Sequence, residues 1–199
     1  PDAVAAMKEL GWEVACHGLK WIDYRAIPRD VEAEHIREAI RIHTDVTGSR
    51  PLGWYTGRTS ENTLELLMAE GGFRYLADSY ADDLPYWLYS GSGGDRDPHL
   101  VVPYTLDAND MRFATAQGFN SGEQFFHYLR DSFDVLYAEG QSGAPKMLSV
   151  GLHCRLAGRP GRTAAIERFV HHVLEHDDVW ISRRIDIAEH WRREHPPTG

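Results

Sequence analysis

The sequence predicts an α/β fold of parallel strands joined by helices, one or two strand–helix units short of a closed barrel. Short apolar runs alternate with longer segments of helical period along the chain, the pattern of βαβ units. About six strands are countable, where a closed barrel of parallel strands has about eight in about 250 residues. The chain has 199 residues and opens without Met in a helical segment. A fragment, a processed chain or a chain with its first part missing is expected.

Taken in order, residues 12–17 read as a buried strand. Residues 30–47 carry Val31, Ile36, Ile40 and Val46 at helical spacing, with Asp30 as N-cap and Gly48 as C-cap. Residues 51–55 form a second strand. A helix capped by Ser60 follows over 60–70, closed by Gly71 and Gly72. Strands are predicted over 73–77 and 100–103. The Gly- and Ser-rich stretch 90–98 is a surface loop by composition, as is 139–145. Residues 121–139 are helical with Ser121 as cap, 147–152 is the clearest strand, and 161–176 is a helix. Residues 179–182 read as a strand and 184–194 as a closing helix.

Bulk properties exclude several classes of function. A formal net charge of −9 disfavours binding to nucleic acid or to an anionic membrane. No apolar run approaches the roughly 18 residues of a membrane span. The start has no charged-then-apolar order of a secretory signal. The two cysteines, Cys16 and Cys154, do not make a disulfide scaffold and read as reduced thiols of a cytoplasmic enzyme.

Catalytic groups of parallel α/β folds gather at the carboxyl ends of the strands. Those ends here carry His17, then Trp54-Tyr55-Thr56-Gly57-Arg58, then Asp78 to Trp87, then Asn109-Asp110, then His153. Histidine transfers protons near neutral pH. An arginine binds a carbonyl oxygen or the charge that develops on it. Carboxylates orient a histidine or water, and aromatic walls exclude solvent. The mixture fits hydrolysis of a small polar molecule. On residue types alone, Arg58 reads equally as a loop cap, Asp82-Asp83 as a solvated turn, and Trp54 and Trp87 as core.

The motifs are more specific. Residues 13–24, EVACHGLKWIDY, resemble the second motif of the polysaccharide deacetylase superfamily, in the version carried by cofactor-independent allantoinases. Residues 50–59, RPLGWYTGRT, resemble the third motif, and 78–87, DSYADDLPYW, the fourth. Residues 151–155, GLHCR, resemble the last, whose Leu-His pattern carries a catalytic histidine. Residues 103–113, 118–120 and 185–191 are similar to the same group, so the resemblance covers essentially the whole chain.

This resemblance implies a distorted parallel (β/α) barrel of the polysaccharide deacetylase type, lacking its first one or two βα units. Residues 1–199 are then the C-terminal two-thirds of a single barrel domain. It implies a cytoplasmic, homotetrameric enzyme of purine breakdown that opens the hydantoin ring of allantoin to allantoate. The expected partners are an allantoin-like small molecule and further copies of the chain, with no nucleic acid, membrane or cofactor. In that reading His153 transfers a proton, Arg58 with Tyr55 holds a carbonyl oxygen, and His17 orients water or the ring. Asp82 or Asp83 bonds ring or ureido nitrogens. Trp54 and Trp87 line the pocket, and Trp21 and Asn109 are further substrate contacts.

Metal-dependent members of the superfamily hold their ion with an Asp and two His. The position four residues after His17, where the second His belongs, is Trp21, so no metal site is expected. The first motif, with its acidic residue, has no counterpart and is expected before Pro1. A cyclic imide hydrolase and a metal-dependent polysaccharide or peptidoglycan deacetylase are the alternative enzymes. The non-enzyme alternative is an inactive fragment that needs its N-terminal part.

Overall fold

Caps and burial decide where this chain becomes helical. The computed structural model describes residues 2–90 and 97–198, so residues 91–96 of the expected 90–98 loop lie outside the described residues. Contacts divide the chain into two units, one of Pro1–Pro103 with Ser182–Gly199, the other of Tyr104–Ile181.

In the first unit, α1 covers Asp2–Glu9 and α2 covers Arg29–Thr47. Helix α2 starts one residue earlier than predicted, with Pro28 at the cap and Asp30 in the first turn, where its charge suits the helix dipole. Gly48 ends it as predicted: its φ of 81° is left-handed, and its N–H bonds Thr44 O at 2.8 Å. The buried face of α2, Ile36, Ala39 and Ile40, packs with Cys16, Trp54, Leu67 and Leu76. Helix α3, Thr63–Glu70, begins later than predicted because Ser60 is otherwise engaged. The Ser60 hydroxyl donates to buried Glu32 at 2.5 Å and accepts Asn62 N–H at 2.9 Å, and the Thr63 hydroxyl also donates to Glu32. These two hydroxyls satisfy a carboxylate that is costly to bury alone.

Four strands form one sheet in the order β1-β2-β4-β3: β1 Gly53–Trp54, β2 Tyr75–Leu76, β3 Tyr86–Ser90 and β4 Asp97–Val101. Strands β1, β2 and β4 are parallel, with Trp54 opposite Leu76 and Leu76 opposite Val101. Residue Cys16 bridges Trp54 in parallel on the far side of β1. The predicted strand over 12–17 pairs only there, and Trp12 is 60% exposed. Strand β3 was not expected; it runs antiparallel to β4, Trp87 opposite Leu100. Helix α7 covers Arg184–Glu194, as predicted. Its Arg184 donates to Val102 O at 2.8 Å, just past β4, and Glu13 accepts both Ile185 N–H (2.8 Å) and Tyr75 O–H (2.9 Å).

In the second unit, α4 covers Gly122–Gln141, α5 Cys154–Ala157 and α6 Pro160–Leu174. The Ser121 hydroxyl caps α4 by accepting Gln124 N–H. Phe125, Leu129 and Phe133 of α4 pack on Phe169 and Val173 of α6 and on Ala108. The predicted strand over 147–152 bridges only at Gly151, in parallel with Asn109. Residues 179–182 form no strand; Trp180 and Ile181 are exposed.

Candidate active site

Parallel pairing sets the carboxyl ends of neighbouring strands side by side. In the first unit this gathers His17, the turn 55–58 and Asp78. Strand β2 ends at Leu76, Ala77 N–H bonds Trp54 O at 2.9 Å, and Asp78 follows. Its carboxylate accepts Thr56 N–H and Gly57 N–H, each at 2.7 Å. Gly57 has a φ of 82°, and a Cβ there would come within 3.2 Å of the Tyr55 ring, tighter than ordinary van der Waals contact. The turn therefore requires glycine. Burial pushes the Asp78 carboxyl above its usual range, although the two N–H bonds and the nearby His17 draw it back.

Tyr55 and Arg58 leave this turn in useful positions. The rings of Tyr55 and His17 meet edge to face at 5.1 Å, and Tyr55 O–H lies 2.8 Å from Tyr80 O–H. The Arg58 guanidinium sits 4.2 Å over the Trp21 ring. Stacking leaves the edge of the fork, with its donors, open to an oxygen of a ligand.

In the second unit the chemistry centres on Asp110, which is fully buried. Asp110 N–H bonds Gly151 O at 3.0 Å, which seats it beside the segment leading to His153. Its carboxylate accepts His153 N–H at 2.8 Å and Ala157 N–H at 3.0 Å, and lies 2.6 Å from His153 Nδ1. With the carboxylate as acceptor, Nδ1 is the donor. Nε2 is then the ring nitrogen left for a substrate, on a side chain 31% exposed.

Trp54 is 2% exposed, its Nε1 donates to the Thr56 hydroxyl at 2.8 Å, and it packs in the core beside a small cavity that Gly18, Tyr24 and Glu32 also line. Trp87 Nε1 donates to His195 O at 2.8 Å, and Arg192 covers its ring at 5.0 Å. Asp82 accepts Asp83 N–H and Leu84 N–H, the turn-forming role, and Asp83 is exposed. Asn109 accepts Met111 N–H at 2.8 Å as cap of a 3-10 turn over Asp110–Ala114. Asp78 and Asp110 were missed as site residues. Both follow strand ends inside quoted motifs, which was the available signal.

The donor set does not fit a metal. Among the described residues no three His, Cys, Asp or Glu side chains gather closely enough to hold an ion. Trp21 offers no lone pair, and the guanidinium stacked on it would repel a cation. No helix among the described residues is long and apolar enough to cross a membrane.

No family profile matches the chain. It is 60% identical to a probable polysaccharide deacetylase from Pseudomonas aeruginosa PAO1, with a TM-score of 0.94 over 100% of this chain and 65% of that one. The crystal structure of Puue allantoinase is similar with a TM-score of 0.95 and 58% identity, at the same coverage. A relative from Schizosaccharomyces pombe, assigned to the polysaccharide deacetylases, is 43% identical over 98% of this chain and 65% of its own length. The chain thus spans about 65% of the length of these relatives. In fold and in sequence, the chain is similar to members of the polysaccharide deacetylase superfamily.

Proposed function

We propose that the protein containing this chain hydrolyses a ring C–N bond of a cyclic amide, opening allantoin to allantoate. The Asp110–His153 pair carries this reading, in a chain 58% identical to Puue allantoinase. Water adds through oxygen to a ring carbonyl carbon, the ring C–N bond breaks, and a proton from the water reaches the leaving nitrogen. His153 Nε2 moves that proton, while Asp110 holds the ring on its Nδ1 side. Arg58 and Tyr55 bind the carbonyl oxygen on which negative charge develops. His17 orients the water or the ring. Trp21, Asn109 and Asp83 contact the remainder of the substrate.

In this reading residues 1–199 are about two-thirds of a single barrel domain, and the enzyme is a cytoplasmic homotetramer acting without a metal. The test is turnover by the full-length protein on allantoin, hydantoin and succinimide, with and without a chelator or added zinc. Allantoin is expected to be the best substrate and the chelator to have no effect. Preference for succinimide would make the protein a cyclic imide hydrolase. Dependence on zinc would make it a deacetylase-like metalloenzyme.

A further inference from the structure

We propose that Asp78 is a positioning residue of this hydrolytic site, holding the turn that carries Arg58 and Tyr55 and setting a negative charge against His17. The inference rests on the hydrolase reading above.

The chain reaches this arrangement through register. Trp54 pairs with Leu76, and Ala77 N–H bonds Trp54 O. The first residue free of the ladder on β2 is therefore Asp78, level with Thr56 and Gly57. Both carboxylate oxygens are used, Oδ2 on Thr56 N–H and Oδ1 on Gly57 N–H, each at 2.7 Å. Bonds of this length to a carboxylate are the charge-assisted kind. They fix a turn whose Gly57 is left-handed and whose two ends deliver different groups. One end gives Tyr55, edge-on to His17 at 5.1 Å, and the other gives Arg58, stacked on Trp21 at 4.2 Å.

The two N–H groups take both oxygens of a carboxylate, so this clamp brings a charge with it. Burial opposes ionisation of Asp78, and His17 is the cationic-capable group whose field favours it. A buried carboxylate perturbed by desolvation and by a nearby histidine marks a candidate working site. A displacement of this turn would move Tyr55 and Arg58 at once, and with Tyr55 the ring that meets His17.

The test is Asp78→Asn in the full-length protein. Asparagine keeps the shape, removes the charge, and offers one acceptor oxygen to two N–H groups. Per folded molecule, kcat/KM on allantoin is expected to fall about a hundredfold, as misplaced groups remote from the reacting atoms do, with KM raised by about tenfold. Wild-type KM and kcat in the folded variant would overturn the proposal, whatever its melting temperature. A second measurement does not depend on substrate. The amide proton signals of Thr56 and Gly57 are expected to move upfield and the Trp21 indole signal to shift. If these signals stay in place the positioning role is refuted. If wild type fails to turn over allantoin, the functional reading falls and the signals alone decide the role of Asp78. Should Asp78→Asn not fold, Asp78→Ser takes both measurements.

Discussion

Asp110 lies 2.6 Å from His153 Nδ1 and also accepts the backbone N–H of His153, so one buried carboxylate fixes both the ring and the peptide of the same residue. Asp110→Asn would set an amide against Nδ1 and favour the wrong tautomer. A loss of up to about 10⁴-fold in kcat is expected, the size seen when an Asp–His pair is neutralised in hydrolytic triads. The measurement is steady-state turnover of the full-length variant, with circular dichroism to show that it folds. Retention of more than about a tenth of wild-type kcat would be incompatible with an orienting carboxylate.

His153→Ala removes the proposed proton carrier itself. Turnover is expected to drop at least about a hundredfold, with melting temperature little changed because the side chain is part exposed. Near-normal turnover would sink the proton-transfer role.

Arg58→Lys preserves the charge but not the plane. A lysine ammonium does not stack flat on Trp21, and it lacks the forked donors. Activity is expected to stay close to that of Arg58→Ala, well below wild type. Full rescue by lysine would show that charge alone suffices at this position.

Trp54→Ala separates a core role from a substrate-contacting one. A buried tryptophan truncated to alanine costs about 3–5 kcal/mol, and urea unfolding of the variant reads that loss directly. A small loss of stability with a large loss of substrate affinity would return Trp54 to the pocket wall.

Asp78 also predicts a pH dependence. Its carboxyl lies above the usual range because of burial. The folded chain therefore holds this proton to higher pH than the unfolded chain does. Stability from this group is complete below the ordinary carboxylate value, about 4, and is lost as pH rises through the raised folded value. The stability of wild type relative to Asp78→Asn should therefore decline as pH rises through that window. Unfolding curves of both proteins across it provide the check; a rising difference would contradict the sign.

Helices were legible because their signals are local. Gly48 ends α2 with a left-handed φ, Ser121 caps α4, and α7 has its predicted bounds. Strands depend on partners that no local pattern names. Residues 147–152 have the composition of a strand but pair only at Gly151, and the aromatic run of β3 was taken as part of a motif rather than as a strand. Ser60 looked like a cap, but Glu32, 28 residues away, claims its hydroxyl. The site divides in the same way. His17 follows the single bridge at Cys16, Arg58 follows β1, and His153 follows the single bridge at Gly151. The pairing of Asp110 with His153 spans 43 residues and becomes visible only when Asn109 and Gly151 lie side by side.

The two cysteines differ in a way that gives the protein a practical handle. Cys16 is sealed in the core and burial pushes its thiol up, whereas Cys154 is exposed on α5, next to His153. Thiolate is the reactive form, so a maleimide dye applied to the native chain should attach once, at Cys154. That places a reporter one residue from His153 without any engineered substitution.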